Sequence, residues 1–399
     1  MKTPRLLATV CLAIAGLFSS AAESAAGLSL VENFSANPLG TWTFGIGSNA
    51  NAQFTYQTDS AAYAGDVGGS LKVQLNSSLA TSRLQLPLGF TLGASTDFTV
   101  SAQFSLANVS ALDNQAMQLA FGLVNTATTG GNRTGSPTSS ANTFNTVEVD
   151  YFPNVSPIYG YGATLTPAIF GAQKNTGNIF ANYATIFGSG SDLGDNTTGI
   201  TALPQNTNLQ AALTYAASTH AFTLQLSQIA PNGSLTTLVT EVPVLDLDNE
   251  PTYDPTRPFQ VNALAIMAYQ DGFHTTSPPT LSADVTFQKL SVSLPAAGVL
   301  NLPTLTLSGG TTTLTSPLGT GTSTITVNAN AALHISASQK LAALNIGPGA
   351  KVTFSSGGGG GFAGEPDFDK AAALVPEPGA AALLIPAALI FCHRRRRVV

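Results

Sequence analysis

Cysteine is nearly missing from this chain: its 399 residues hold only Cys11 and Cys392. Both lie in apolar terminal stretches, so the body between them has no disulfide and no thiol. That excludes cysteine nucleophiles and thiolate metal sites, and leaves stability to packing and hydrogen bonding. Charge is scarce too, at 9% of residues. Six of the 15 basic residues (Lys2, Arg5, Arg394, Arg395, Arg396 and Arg397) sit at the termini, which leaves residues 27–378 nine basic against twenty acidic, a balance of −11. Nucleic acid is thereby excluded as a partner, because phosphate neutralisation needs clustered Lys and Arg. Long helical periodicity is also absent, and no glycine-rich phosphate loop precedes a helix-like run.

The chain is instead rich in Thr, Ser, Asn, Gly and Ala, with an apolar fraction of 44% that is too high for disorder. At the N-terminus, Lys2 and Arg5 precede an apolar run over 6–18, and small residues follow. This is the three-part pattern of a secretory signal, and the run is short of the ~20 residues that span a bilayer. Cleavage fits after Ala22 or after Ala26; the second is preferred because Glu23 follows the first. Residues 1–26 are therefore read as a signal peptide.

The C-terminus reads Val375-Pro376-Glu377-Pro378, an uncharged stretch over 379–391, then Cys392-His393 and Arg394, Arg395, Arg396 and Arg397. Arginines after an apolar stretch stop translocation and stay cytoplasmic. This tail resembles the PEP-CTERM sorting signal of exported bacterial proteins. The resemblance implies export through the Sec translocon and transient anchoring in the inner membrane by the C-terminal helix. Processing by an exosortase follows, and the destination is the surface or matrix of a Gram-negative-type bacterium. It rests on residues 376–399.

Between the ends, short runs alternate apolar and polar residues: 71–75, 98–106, 222–226 and 285–292. Each presents one apolar face to a core. Pro231-Asn232-Gly233-Ser234 reads as a tight turn between strands at 222–229 and 235–239. Residues 27–295 are thus expected to form a large all-β sandwich or jelly roll.

Leu119-Ala120-Phe121 is a strand-like run, followed by a polar loop and then Val147-Glu148-Val149-Asp150-Tyr151-Phe152-Pro153-Asn154. This stretch resembles the metal strand of the concanavalin A-like lectin/glucanase superfamily, legume-type lectins in particular. Glu148, Asp150 and Phe152 share one face of a strand, and with the Asn154 amide they offer oxygen ligands suited to Ca²⁺. The resemblance also gives Asn154 a direct contact with sugar. The pattern is incomplete: Tyr159 and Thr164 stand where the family has Asp and His, and Met117 stands near the sugar-binding Asp. Two readings follow, a single residual Ca²⁺ or carboxylates that line the sheet face and satisfy nearby loop backbone. Glucanases of the superfamily carry Glu-x-Asp-x-(x)-Glu, whereas Phe152 and Pro153 fill both places for the second Glu here. Without that proton donor glycan hydrolysis is not expected.

Asp246, Asp248, Glu250 and Asp254 form an acidic loop, read as a solvated loop first and as a cation site second. His220 and His274 read as surface histidines, and Trp42 as core. Over 296–356, apolar pairs such as Leu305/Leu307, Ile325/Val327, Leu333/Ile335 and Val352/Phe354 recur between polar residues, which resembles rungs of a β-solenoid; the segment is too short for a long one and is read as a small β-rich spacer module. Residues 357–375 read as a Gly-rich linker. The expectation is a non-enzymatic surface or matrix protein that requires no cofactor, with calcium a candidate ligand, and binds or organises polysaccharide. The alternatives are a purely structural envelope or biofilm protein, or a glycan-active hydrolase.

Overall fold

The computed structural model describes residues 26–355 apart from 50–53, 59–60, 77–78, 111–117, 130–144, 153–160, 173, 175–178, 184–186, 191–202, 270–281, 297–299, 301, 319–320, 338 and 340. Its strands, in chain order, begin with β1 (Ala26–Glu32), β2 (Thr43–Ile46), β3 (Phe54–Gln57), β4 (Ser70–Asn76), β5 (Ser82–Gly93), β6 (Phe98–Ser110), β7 (Gln118–Val124) and β8 (Thr146–Phe152). There follow β9 (Tyr161–Ala172), β10 (Ile179–Tyr183), β11 (Phe187–Gly190), β12 (Asn208–Ala216), β13 (Ala221–Ile229), β14 (Leu235–Asp246), β15 (Gln260–Tyr269) and β16 (Ser282–Pro295). The last six are β17 (Thr304–Leu307), β18 (Thr311–Leu314), β19 (Ser323–Val327), β20 (Ala332–Ile335), β21 (Leu341–Ile346) and β22 (Lys351–Phe354). Among the described residues no helix is long and apolar enough to cross a membrane. The sorting residues Val375, Pro376, Glu377, Pro378, Arg394, Arg395, Arg396 and Arg397, and all of the expected signal peptide but Ala26, lie outside the described residues.

Alternation makes these elements. In β6, Phe98, Val100, Ala102, Phe104 and Leu106 are buried, while Thr99, Ser101, Gln103 and Ser105 are half-exposed. The runs read at 71–75, 98–106 and 285–292 lie within β4, β6 and β16, and the 222–229 run within β13. The turn at 231–234 closes by hydrogen bonds between Ala230 and both Gly233 and Ser234. β14 extends past the expected 239 to Asp246, because register shifts against β13 absorb its extra residues.

Strands β1 to β16 pair antiparallel in two facing sheets. One runs β14-β13-β12-β6-β16-β1 and continues through β18-β20-β22, with β4 also on β16 and β3 on β4. The other runs β10-β9-β8-β7-β15-β5-β2, with β11 on β9. Rings interlock between them: Phe121 of the second sheet meets Phe104 and Phe287 of the first at 6.2 and 6.3 Å, and Phe98 meets Phe259 at 6.2 Å. Each fully buried Phe or Leu contributes roughly 1.5–3 kcal/mol of burial free energy.

The last six strands wind as three parallel rungs: β17-β19-β21 make one layer, and β18-β20-β22 the other. β18 pairs with β1, so the first sheet passes from sandwich to rungs without a break. Leu305, Leu314, Ile325 and Leu333 belong to the same core cluster as the sandwich residues.

Candidate functional site

β8 decides where the two carboxylates go. Val147, Val149 and Tyr151 enter the core between the sheets, so Thr146, Glu148 and Asp150 must occupy the opposite face. On most antiparallel sheets that face is wet, yet Glu148 and Asp150 are both 0% exposed. Neither carboxylate lacks a partner. An unpartnered buried carboxylate would carry a large desolvation penalty.

Register gathers the rest of this face. Asp150 lies opposite Ala120, Ala120 opposite Met267, and Met267 opposite Arg83, one row across β8, β7, β15 and β5. The next row is Glu148, Gly122, Ala265 and Gln85. The middle of the face is therefore a floor of small residues and Met267, with carboxylates at one side and Arg83 and Gln85 at the other. A Cβ at Gly122 would collide with the Val147 carbonyl and come within 2.9 Å of Glu148 Cβ. Only glycine lets Glu148 sit against β7.

Arg83 and Gln85 are nearly as buried, at 4% and 8% exposed. Arg83 Nε donates to Gln85 Oε1 (3.0 Å) and Nη2 to the Thr129 carbonyl (2.9 Å), which ties the loop after β7 to β5. That loop is held by amides. Asn125 Oδ1 accepts from the backbone of Ala127 and Thr128, its Nδ2 donates to the Gln260 carbonyl (3.0 Å), and Asn262 Oδ1 accepts from Thr126 N (2.9 Å). Sequence reading did not single out Arg83, Gln85, Asn125 or Asn262. The available signal was alternation in β5, where Arg83 and Gln85 alternate with Leu84 and Leu86.

Phe152 ends β8, and Asn154 lies outside the described residues. Among the described residues no group of three or more His, Cys, Asp and Glu could hold a metal ion. The acidic loop is used locally. Asp246 Oδ1 accepts from Asp248 N (3.0 Å), Asp248 pairs with His220 Nδ1 (2.9 Å), and Asp254 takes Thr256 and Arg257. The Thr256 hydroxyl and the Arg257 guanidinium hold the Asp254 carboxyl down at about 2. Trp42 is core, its indole donating to Glu32 Oε2 (3.3 Å); His274 lies outside the described residues.

Elsewhere, a groove of about 360 Å³ opens on the first sheet between Asp97, Thr99, Thr214, Ser218 and Ser293. Asp97 Oδ1 is occupied there by the Ala217 amide (2.7 Å).

No family model and no curated protein matches the sequence. Solved structures are similar at low identity. A seed lectin of Lotus tetragonolobus aligns at 13% identity over 66% of this chain and 97% of its own, with a TM-score of 0.36. The carbohydrate recognition domain of Emp47p aligns at 13% over 67% and 95%, with a TM-score of 0.33. A carbohydrate esterase from the Shiga toxin-encoding bacteriophage phi24B aligns at 13% over 68% and 99%, with a TM-score of 0.29.

Proposed function

We propose that this chain is an exported, non-catalytic carbohydrate-binding module of the bacterial surface or matrix, with a concanavalin A-like sandwich. Its route is secretion through the Sec translocon, transient anchoring by the C-terminal helix, and exosortase processing of the tail at 376–399. The observation that carries the binding reading is the solvent-excluded Glu148–Asp150 pair, seated against a glycine and facing Arg83 and Gln85 across a floor of small side chains. Carboxylates and amides are acceptors for the hydroxyls of a polyol, and a charged acceptor makes the stronger bond. Hydrolysis would need a second carboxyl as proton donor, and Phe152 and Pro153 stand in the two places for it.

Calcium is not needed for this reading. The described residues supply two carboxylates, short of the roughly six to eight oxygens the ion takes. A glycan array of the full chain, read with and without EDTA and paired with a hydrolysis assay, tests the reading. Binding without turnover is expected, weakened at least about tenfold by Glu148→Gln with Asp150→Asn, a loss of about 1.4 kcal/mol. EDTA sensitivity would bring calcium back through Asn154. Failure to bind any glycan, with the fold intact by circular dichroism, would instead support a purely structural role. The unbroken sheet from β14 to β22 favours that second reading.

A further inference from the structure

The outer face of the first sheet carries rows of hydroxyls. Register sets Thr214 of β12 beside Thr99 of β6, and Thr99 beside Ser293 of β16. In the next outward row, Ser101 stands between Ala212 and Ser291. Each row holds a bonded pair: Thr99 Oγ1 and Thr214 Oγ1 lie 2.9 Å apart, and Ser101 Oγ and Ser291 Oγ 2.8 Å. A hydroxyl has one hydrogen and two lone pairs, so a pair that shares one hydrogen keeps a second O–H to offer outward.

The groove of about 360 Å³ opens at the Thr99 row, within the roughly 300–1,000 Å³ of small-molecule sites. Two turns wall it, one joining β5 to β6 and the other β12 to β13. Asp97 Oδ1 accepts from the Ala217 amide (2.7 Å), and the Tyr215 hydroxyl donates to the Ala94 carbonyl (2.9 Å), so the two turns are fastened together. Beneath them Tyr215 packs on the rings of Phe98, Phe222 and Phe259 at 5.5, 4.7 and 5.2 Å. The walls are thus fixed without a ligand, which lowers the ordering cost of binding one.

The lining selects the ligand. The Ala217 amide takes one oxygen of Asp97 and leaves Oδ2 to a ligand, beside the hydroxyls of Thr214, Ser218 and Ser293. Ala216 and Pro295 add apolar surface. Among the described residues no Lys or Arg lines the groove, so an anion would meet a carboxylate without a counter-charge. A pyranose is the complement, with hydroxyls at its edge and C–H groups on its faces, and a carboxylate is the stronger acceptor for such hydroxyls. We propose that this groove is a further saccharide site, which takes a neutral pyranose residue of a polysaccharide. It rests on the reading of this chain as a carbohydrate binder, but not on Glu148 and Asp150, which occupy the outer face of the other sheet. Sites on opposite faces let one molecule hold two glycan chains and so cross-link a matrix.

Calorimetric titration of the full chain with cellohexaose, maltohexaose and mannohexaose, and with oligogalacturonate as the anionic control, tests this. A neutral probe is expected to bind, and to slow hydrogen exchange at 94–99 and 214–219. Ser293→Phe, which fills the groove, and Asp97→Asn, which keeps an acceptor for the Ala217 amide, should each weaken that binding at least about tenfold. With Glu148→Gln and Asp150→Asn together, protection at 94–99 and 214–219 should persist; were that variant to unfold, the two groove substitutions in the native chain decide. Four results would overturn the proposal: no binding of any probe, protection confined to β7 and β8, affinity indifferent to both groove substitutions, or tighter binding of oligogalacturonate in the groove. Binding that survives the Glu148 and Asp150 changes undiminished but is lost with Ser293→Phe would keep the groove and remove the β8 face as a glycan site.

Discussion

Glu32 ends β1 with 6% of its surface exposed, accepting hydrogen bonds from the Phe34 amide (2.6 Å) and the Trp42 indole (3.3 Å). Burial pushes its carboxyl above the usual range, and those two donors offset only part of the rise. A carboxyl with a raised folded pKa binds its proton more readily in the native state. Its contribution to stability is therefore complete below the unfolded value near 4.3 and is lost as pH rises through the folded value. Glu32→Gln keeps an acceptor and carries no charge. Thermal unfolding between pH 4 and 7 should show the native chain losing melting temperature relative to the variant as pH rises; parallel curves would contradict this. The residue was within reach of sequence reading, because Leu28 and Leu30 put position 32 on the inner face by period two. Glu148 and Asp150 sharing a face was legible in the same way. Their complete burial was not, since it depends on Gly122 and on residues from other strands.

At the scale of elements, β5 and β17 meet where neither sequence foretells it. Gly89 has φ +80, and a Cβ there would collide with the Thr306 backbone, whose C and N atoms would lie at 2.6 Å. The rungs dock on the second sheet at this point. Gly89→Ala is expected to destabilise by about 1–3 kcal/mol from overpacking, before any strain from the positive φ. Gly309→Ala, where the new Cβ would meet only Leu86 Cδ1 at 3.1 Å, should be milder. Urea midpoints give the order, and equal midpoints would show that the contact yields. The alternating strands β4, β6, β13 and β16 were legible because a half-buried strand writes its burial into its sequence. β9 was not, because Pro167 interrupts its run. The pairing within the acidic loop was out of reach for a related reason. Carboxylate spacing along a chain does not say that Asp248 turns to His220 while Asp254 turns to Arg257.

Across the whole molecule, one apolar cluster runs from Leu28 and Phe222 through Leu305 to Ile335. Sandwich and rungs should consequently unfold together. Calorimetry of the full chain is expected to give a single transition for this body, and Leu333→Ala, 1% exposed in the rungs, should lower that transition by a loss of about 2–5 kcal/mol. A separate early transition that moves alone would mean the rungs fold independently. The sequence by itself determined the strand-rich class, the inner and outer faces of its longer strands, the recurrent apolar pairs of the rungs and the terminal segments that resemble export signals. These are local properties, written in spacing along the chain. Only the tertiary structure decided that β1 lies between β16 and β18 and that Arg83 and Gln85 face Glu148 and Asp150 three strands away. Those outcomes depend on register between distant strands, and register is set by the packing of the whole core.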